Sequence, residues 1–126
     1  MKYLGIDYGD KKVGLAIGDD ELKIASPFSV LENDNKLFIN LTSIIETEKI
    51  ESVVIGLPLG LAGQQSAQYK KVRRFITKLV DEINIPIIEE DEKLTSAYAK
   101  KLGSGKIDDD VAAMIILQSY FDKAKI

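Results

Sequence analysis

Three acidic groups stand where a carboxylate can do chemistry. Asp7 closes the apolar run Tyr3-Leu4-Gly5-Ile6. Glu89-Glu90-Asp91-Glu92 follows Pro86-Ile87-Ile88, and Asp108-Asp109-Asp110 precedes the apolar stretch 111–117. The chain contains no His and no Cys. That removes thiolate or imidazole metal ligands, disulfides, Cys nucleophiles and Ser-His-Asp triads. Carboxylates, Lys and Tyr remain as titrating groups, and carboxylates attract hard cations. An all-oxygen cluster suits Mg²⁺ or Mn²⁺. Such a cluster can support phosphodiester cleavage without His or Cys.

Each group also has a plain structural reading. Asp7 suits a turn, and the 89–92 run suits a solvated strand end. The 108–110 run suits a helix N-terminus, where the dipole favours negative charge. Convergence on one edge of a sheet would separate the two readings, so the elements that position these residues matter.

The period-2 and apolar-run signals predict strands over 2–7, 13–18 and 23–31, joined by turns at 7–12 and 18–20. Pro27 marks the third as an edge strand. Asn33-Asp34-Asn35 opens a helix with Leu37, Leu41, Ile44 and Ile45 on one face. Residues 52–56 form a fourth strand. From Ser66 a helix aligns Val72, Phe75, Ile76, Leu79, Val80 and Ile83. Residues 86–88 form a fifth strand. Thr95 or Ser96 caps a helix ending near Gly103, and a last helix spans 109–122. The order predicts an α/β protein: a three-stranded antiparallel meander, then parallel fourth and fifth strands, with helices on both faces of a mixed five-stranded sheet. The length, 126 residues, fits a single domain over 1–126.

Strands one, four and five should then be parallel, which places Asp7 and the 91–92 pair on one carboxyl edge, where ligands bind in open α/β sheets. On the last helix Asp109 shares a face with Ala112, Ala113 and Ile116. That arrangement turns Asp109 toward the sheet and leaves Asp108 and Asp110 wetter.

Net charge is -3, which argues against broad nucleic-acid affinity. The charge is unevenly distributed. Residues 1–63 hold six basic and ten acidic side chains, and residues 64–126 hold eleven and ten. The basic stripe Lys70, Lys71, Arg73, Arg74 and Lys78 is either the wet face of a helix or a phosphate contact. Lys11 and Lys12 lie near Asp7. The apolar, Gly-rich loop 57–66 joins a strand end to a helix start, where backbone N–H groups meet phosphate. No apolar run approaches the ~20 residues of a membrane span. The expectation is a cytoplasmic protein.

Gly5-Ile6-Asp7-Tyr8-Gly9-Asp10-Lys11-Lys12-Val13-Gly14-Leu15-Ala16 resembles the opening of the YqgF/RuvX-like family. Three later blocks match in order: 54–58 with Gly63, then Asp91-Glu92-Lys93-Leu94-Thr95-Ser96, then Asp109 with Val111-Ala112-Ala113 and 115–120. The resemblance spans nearly the whole chain and implies a ribonuclease H-like fold. It implies a nuclease processing the 5′ end of precursor 16S ribosomal RNA, or a Holliday-junction resolvase acting on branched DNA. By the same resemblance Asp7, Glu92 and Asp109 form a catalytic, metal-holding triad for Mg²⁺ or Mn²⁺, with Asp91 in support. Lys11, Lys12, Arg73, Arg74, Lys93 and Thr95 would contact nucleic acid. Lys12 and Lys93 stand where Arg is common, which turns a bidentate phosphate contact into a point charge. The segment 101–106 is shorter than usual in the family.

The expected assembly is a monomer or weak homodimer. A resolvase would need the dimer. Two further readings are a non-catalytic nucleic-acid-binding domain and an ATP-binding protein of the actin/Hsp70 type. The latter closes two domains over its nucleotide, and this chain supplies one.

Overall fold

The computed structural model describes residues 1–58, 66–91 and 107–123. Five strands form one sheet in the order β3-β2-β1-β4-β5: β1 Lys2–Tyr8, β2 Lys12–Asp19, β3 Ile24–Glu32, β4 Ser52–Leu57 and β5 Ile87–Asp91. β1–β2 and β2–β3 are antiparallel, and β1–β4 and β4–β5 are parallel. This is the expected mixed sheet. β3 lies at an edge, where Pro27 removes no interior ladder bond. A register shift at Leu15/Ala16 accommodates Phe28 as an extra residue on β3.

Among the described residues there are three helices: α1 Leu37–Thr47, α2 Ala67–Glu82 and α3 Asp109–Lys123. The helix expected over 95–103 lies outside the described residues. Strand alternation divides the core in two. Leu4, Ile6, Val13, Leu15, Val53 and Ile55 pack under α1 and α2. Tyr3, Ala16 and Val54 pack under α3, against Ala113, Ile116, Leu117 and Phe121.

Ser66 caps α2, its hydroxyl accepting a bond from the Tyr69 N–H at 3.1 Å. The buried stripe of α2 is Val72, Phe75, Ile76 and Leu79, continued by Ile83. Val80 departs from the expectation, being 57% exposed. The stripe is centred on Leu79, and Val80 lies about 100° further round the helix, beyond Ile76.

Three sheet glycines let α3 approach the sheet. A Cβ on Gly5 would lie 2.9 Å from the Ala113 carbonyl oxygen and 2.9 Å from Leu117 Cβ, and one on Gly18 2.6 Å from the Phe121 ring. A Cβ on Gly14 would overlap the Asp109 carbonyl. The Ala112–Ala113 pair contributes less than expected, since only Ala113 is fully buried. Gln118 fastens α3 to β3: its side-chain oxygen accepts the Ala25 N–H at 2.9 Å, and its amide donates to the Lys23 carbonyl at 2.8 Å.

Candidate active site

Asp7 is the penultimate residue of β1 and points to the face covered by α3, as Tyr3 and Gly5 do. Directly across the antiparallel ladder stands Gly14. A Cβ on Gly14 would lie 3.0 Å from Asp109 Cβ. Paired residues on one face have Cβ atoms about 5 Å apart, so Asp7 Cβ and Asp109 Cβ lie within about 8 Å of each other. Gly14 is therefore the gap through which the start of α3 reaches Asp7. Both carboxylates are half-buried at the sheet's carboxyl edge. Asp108 is exposed, and Asp110 turns back to accept its neighbour Val111's N–H at 3.0 Å. Asp108 is therefore wetter than Asp109, as the helical-face argument expects, but Asp110 is not: it is half-buried like Asp109.

Residues 89–91 belong to β5 itself rather than to a solvated strand end. β5 continues through Asp91, and alternation separates its acids. Glu89 faces α2 and forms a two-pronged pair with Arg73, at 2.5 and 2.8 Å. Glu90, 5% exposed, faces α3 and is paired with Lys123. Asp91 pairs in register with Leu57, whose side chain belongs to the α1–α2 core. It therefore leaves the strand on the face opposite Asp7. Glu92, Lys93 and Thr95 lie outside the described residues, as do most of the 57–66 loop and all of 101–106.

Hydrogen bonds brace the turn after Asp7. The Gly9 N–H donates to the Lys12 carbonyl at 3.0 Å. The Asn33 amide donates to the Gly9 carbonyl at 2.7 Å, and the Gln68 amide to the Tyr8 carbonyl at 3.1 Å. Lys71 reaches Asp10 at 3.0 Å. Lys11 and Lys12 are exposed on this turn.

The basic stripe divides in two. Arg73 is held by Glu89, donates from Nε to the Tyr69 hydroxyl at 2.9 Å and lies 5.3 Å from that ring's centroid. Glu89 first, then the Tyr69 hydroxyl, raises the arginine's already high pKa. Arg74 is exposed and forms no ion pair among the described residues.

Asp7 and Asp109 supply oxygen donors only, which fits a hard divalent cation. Among the described residues, no three His, Cys, Asp or Glu side chains come close enough to hold one unaided. No described helix is long and apolar enough to cross a membrane.

Sequence reasoning missed Gly14, reading it only as a strand residue. The available signal was its parity with Ala16 and Gly18, which gives β2 a face of small residues opposite Gly5 and Asp7.

Residues 1–123 match the family model described as "RuvX: Holliday junction resolvase". Two curated relatives carry the name "Putative pre-16S rRNA nuclease". The one from Maridesulfovibrio salexigens is 39% identical over 98% of this chain and all of its own length. The one from Rickettsia africae is 37% identical over 97% of this chain and 86% of its own. Among solved structures, T. thermophilus RuvC in complex with Holliday junction substrate superposes with TM-score 0.65 at 13% identity, covering 98% of this chain and 94% of that one. Fowlpox virus resolvase with its junction DNA gives TM-score 0.62 at 13% identity, covering both chains fully. At such identities these structures speak for the fold alone. The family match over nearly the whole chain and the relatives above 30% identity give the conclusion that this chain belongs to the RuvX (YqgF) family, on a RuvC-like, ribonuclease H-type sheet.

Proposed function

We propose that this protein is a divalent-metal-dependent nuclease that hydrolyses phosphodiester bonds in RNA, with the precursor of 16S ribosomal RNA as its substrate. The observation that carries the reading is the close seating of Asp109 on Gly14, the register partner of Asp7, which puts the Asp109 and Asp7 Cβ atoms within about 8 Å at the sheet's carboxyl edge. The names of the curated relatives support the substrate. Asp7, Asp109 and Glu92 hold Mg²⁺ or Mn²⁺. When bound, the cation withdraws charge from phosphoryl oxygens and makes water a stronger nucleophile.

The chain's own residues supply position. The braced turn fixes Asp7, and Gly14 fixes Asp109. Lys11, Lys12, Arg74 and Lys93 attract the phosphate backbone, and Thr95 contacts it. Asp91 leaves β5 on the opposite face and so takes no part in holding this cation. Arg73 takes an indirect part, fixing Glu89 and the end of β5 rather than touching phosphate.

The test is cleavage of a 5′-extended 16S precursor fragment in Mn²⁺ and in EDTA, beside Asp7→Asn. The expected result is metal-dependent cleavage by the wild type and none by a folded Asp7→Asn protein. Full activity in that variant would remove the metal assignment.

The family description favours one second reading, junction resolution. That activity needs two copies to cut two strands. Cleavage of a four-way DNA junction, by a protein running as a dimer on size exclusion, would replace the RNA substrate.

A further inference from the structure

On the sheet face opposite α3, beside the carboxyl end of β1, a cleft of about 340 Å³ opens between the start of α1 and the middle of α2. Its floor is aromatic. The Tyr8 ring stacks on Phe75 with centroids 4.3 Å apart and planes 25° apart. Phe38 stacks against Phe75 at 5.6 Å and 29°. Tyr8 and Phe38 are half-buried, whereas Phe75 is fully buried.

The rim is cationic. Lys71, Arg74 and Lys78 follow i, i+3, i+7 spacing and so share one side of α2 with Phe75. Lys71 is neutralised by Asp10. Arg74 and Lys78 are exposed and form no ion pair among the described residues. The acid on the opposite rim, Asp34, turns back to accept the Lys36 N–H at 2.9 Å, opening α1.

We infer that this cleft holds an unpaired nucleotide of the RNA strand whose scissile phosphate lies at Asp7 and Asp109, its base against Tyr8 and Phe38 and its phosphates on Arg74 and Lys78. The inference rests on the nuclease reading and adds a substrate-strand subsite to it. Tyr8 directly follows Asp7, and their side chains leave β1 on opposite faces. A single strand crossing this edge reaches both. An aromatic floor with a cationic rim is the chemistry of sequence-tolerant single-strand binding. The volume lies at the small end for ligand pockets, which suits one nucleotide. A base in a duplex is already stacked on its neighbours and has no free face to offer.

The experiment measures binding of a fluorescein-labelled, unstructured oligoribonucleotide by anisotropy in EDTA, so cleavage plays no part. Phe38→Leu keeps an apolar contact with Phe75 but removes the ring face, and it should weaken binding about fivefold or more. Arg74→Gln with Lys78→Gln should reduce the slope of log K against log salt by about 1.4, because two phosphates are no longer neutralised. Both substituted residues in that double variant are exposed, so it tests the inference even if Phe38→Leu fails to fold. The same sequence as a duplex should bind more weakly than the single strand, and Phe38→Leu should leave duplex binding unchanged.

Wild-type affinity in both variants would overturn the inference. So would AMP binding as tightly as the oligonucleotide, since the cleft would then take a free nucleotide. The two readings fail separately. Cleavage with unchanged binding in the variants removes the cleft alone. Weakened binding in the variants, with no cleavage by the wild type in Mn²⁺, removes the nuclease alone.

Discussion

Gly14→Ala is the sharpest perturbation of the proposed site, because it adds one methyl group between Asp7 and Asp109 without altering any candidate ligand. The new Cβ would overlap the Asp109 carbonyl and lie 3.0 Å from Asp109 Cβ, tighter than ordinary van der Waals contact. Relief requires the start of α3 to lift by about 1 Å or more to regain normal atomic separation. Overpacking of this kind costs about 1–3 kcal/mol. At about 4 °C per kcal/mol for a domain of this length, Tm should fall by about 4–12 °C. The larger effect should be catalytic, since Asp109 moves away from Asp7. A displacement of about 1 Å can cost about 100-fold in rate.

Thermal melts and metal-dependent cleavage of the precursor fragment, at a temperature where the variant is folded, separate the two effects. Gly5→Ala is the matched control. Its Cβ meets Ala113 and Leu117, about one and two turns further along α3, at 2.9 Å. It should lose comparable stability and much less activity. Full cleavage by a destabilised Gly14→Ala protein would refute the idea that close seating of Asp109 positions the site. An unchanged Tm would refute the packing itself.

Ser66→Ala removes the α2 cap and should cost about 1 kcal/mol in urea unfolding, with Ser66→Gly costing only a few tenths. Gln118→Ala leaves the Ala25 N–H and Lys23 carbonyl of the β3 edge without their partner. A loss of about 1–3 kcal/mol is expected, read as a lower urea midpoint. Burial first, then the Tyr120 hydroxyl, pushes Tyr3 up to about 12. The unfolded chain releases this proton near pH 10, so the stabilisation is complete below pH 10 and is lost as pH rises from 10 through 12. Tyr3→Phe should flatten that alkaline limb of the stability curve. A limb of unchanged steepness would refute the assignment.

Much of the fold was legible from local signals. Alternation in Val13–Gly18, the Pro in 23–31, the cap at Ser66 and the stripe 72–83 each depend on near neighbours, so the sequence carries them. Parallel pairing of the first, fourth and fifth strands followed from the intervening helices, and with it the shared carboxyl edge. The spacing of Asp109 from Ala113 and Ile116 indicated which acid of 108–110 turns inward.

What local patterns could not reveal was decided between elements distant in the chain. A run of four acids reads as one charged patch. Only the length of β5, set by pairing through Leu57↔Asp91, shows that the strand's pleat divides Glu89, Glu90 and Asp91 between two faces. Five cations on α2 read as one stripe. Only Glu89, 16 residues away on another element, distinguishes Arg73 from Arg74. Gly14 reads as one more strand residue until the start of α3, about 95 residues later, comes to rest on it. Phe75 reads as core, and it is core, but the cleft beside it forms only where the start of α1, the middle of α2 and the end of β1 come together. Residue types and their spacing set the elements and the chemistry open to them. Packing between those elements decided which charges meet, because strand pairing and helix seating over long separations set distances that no short window of sequence contains.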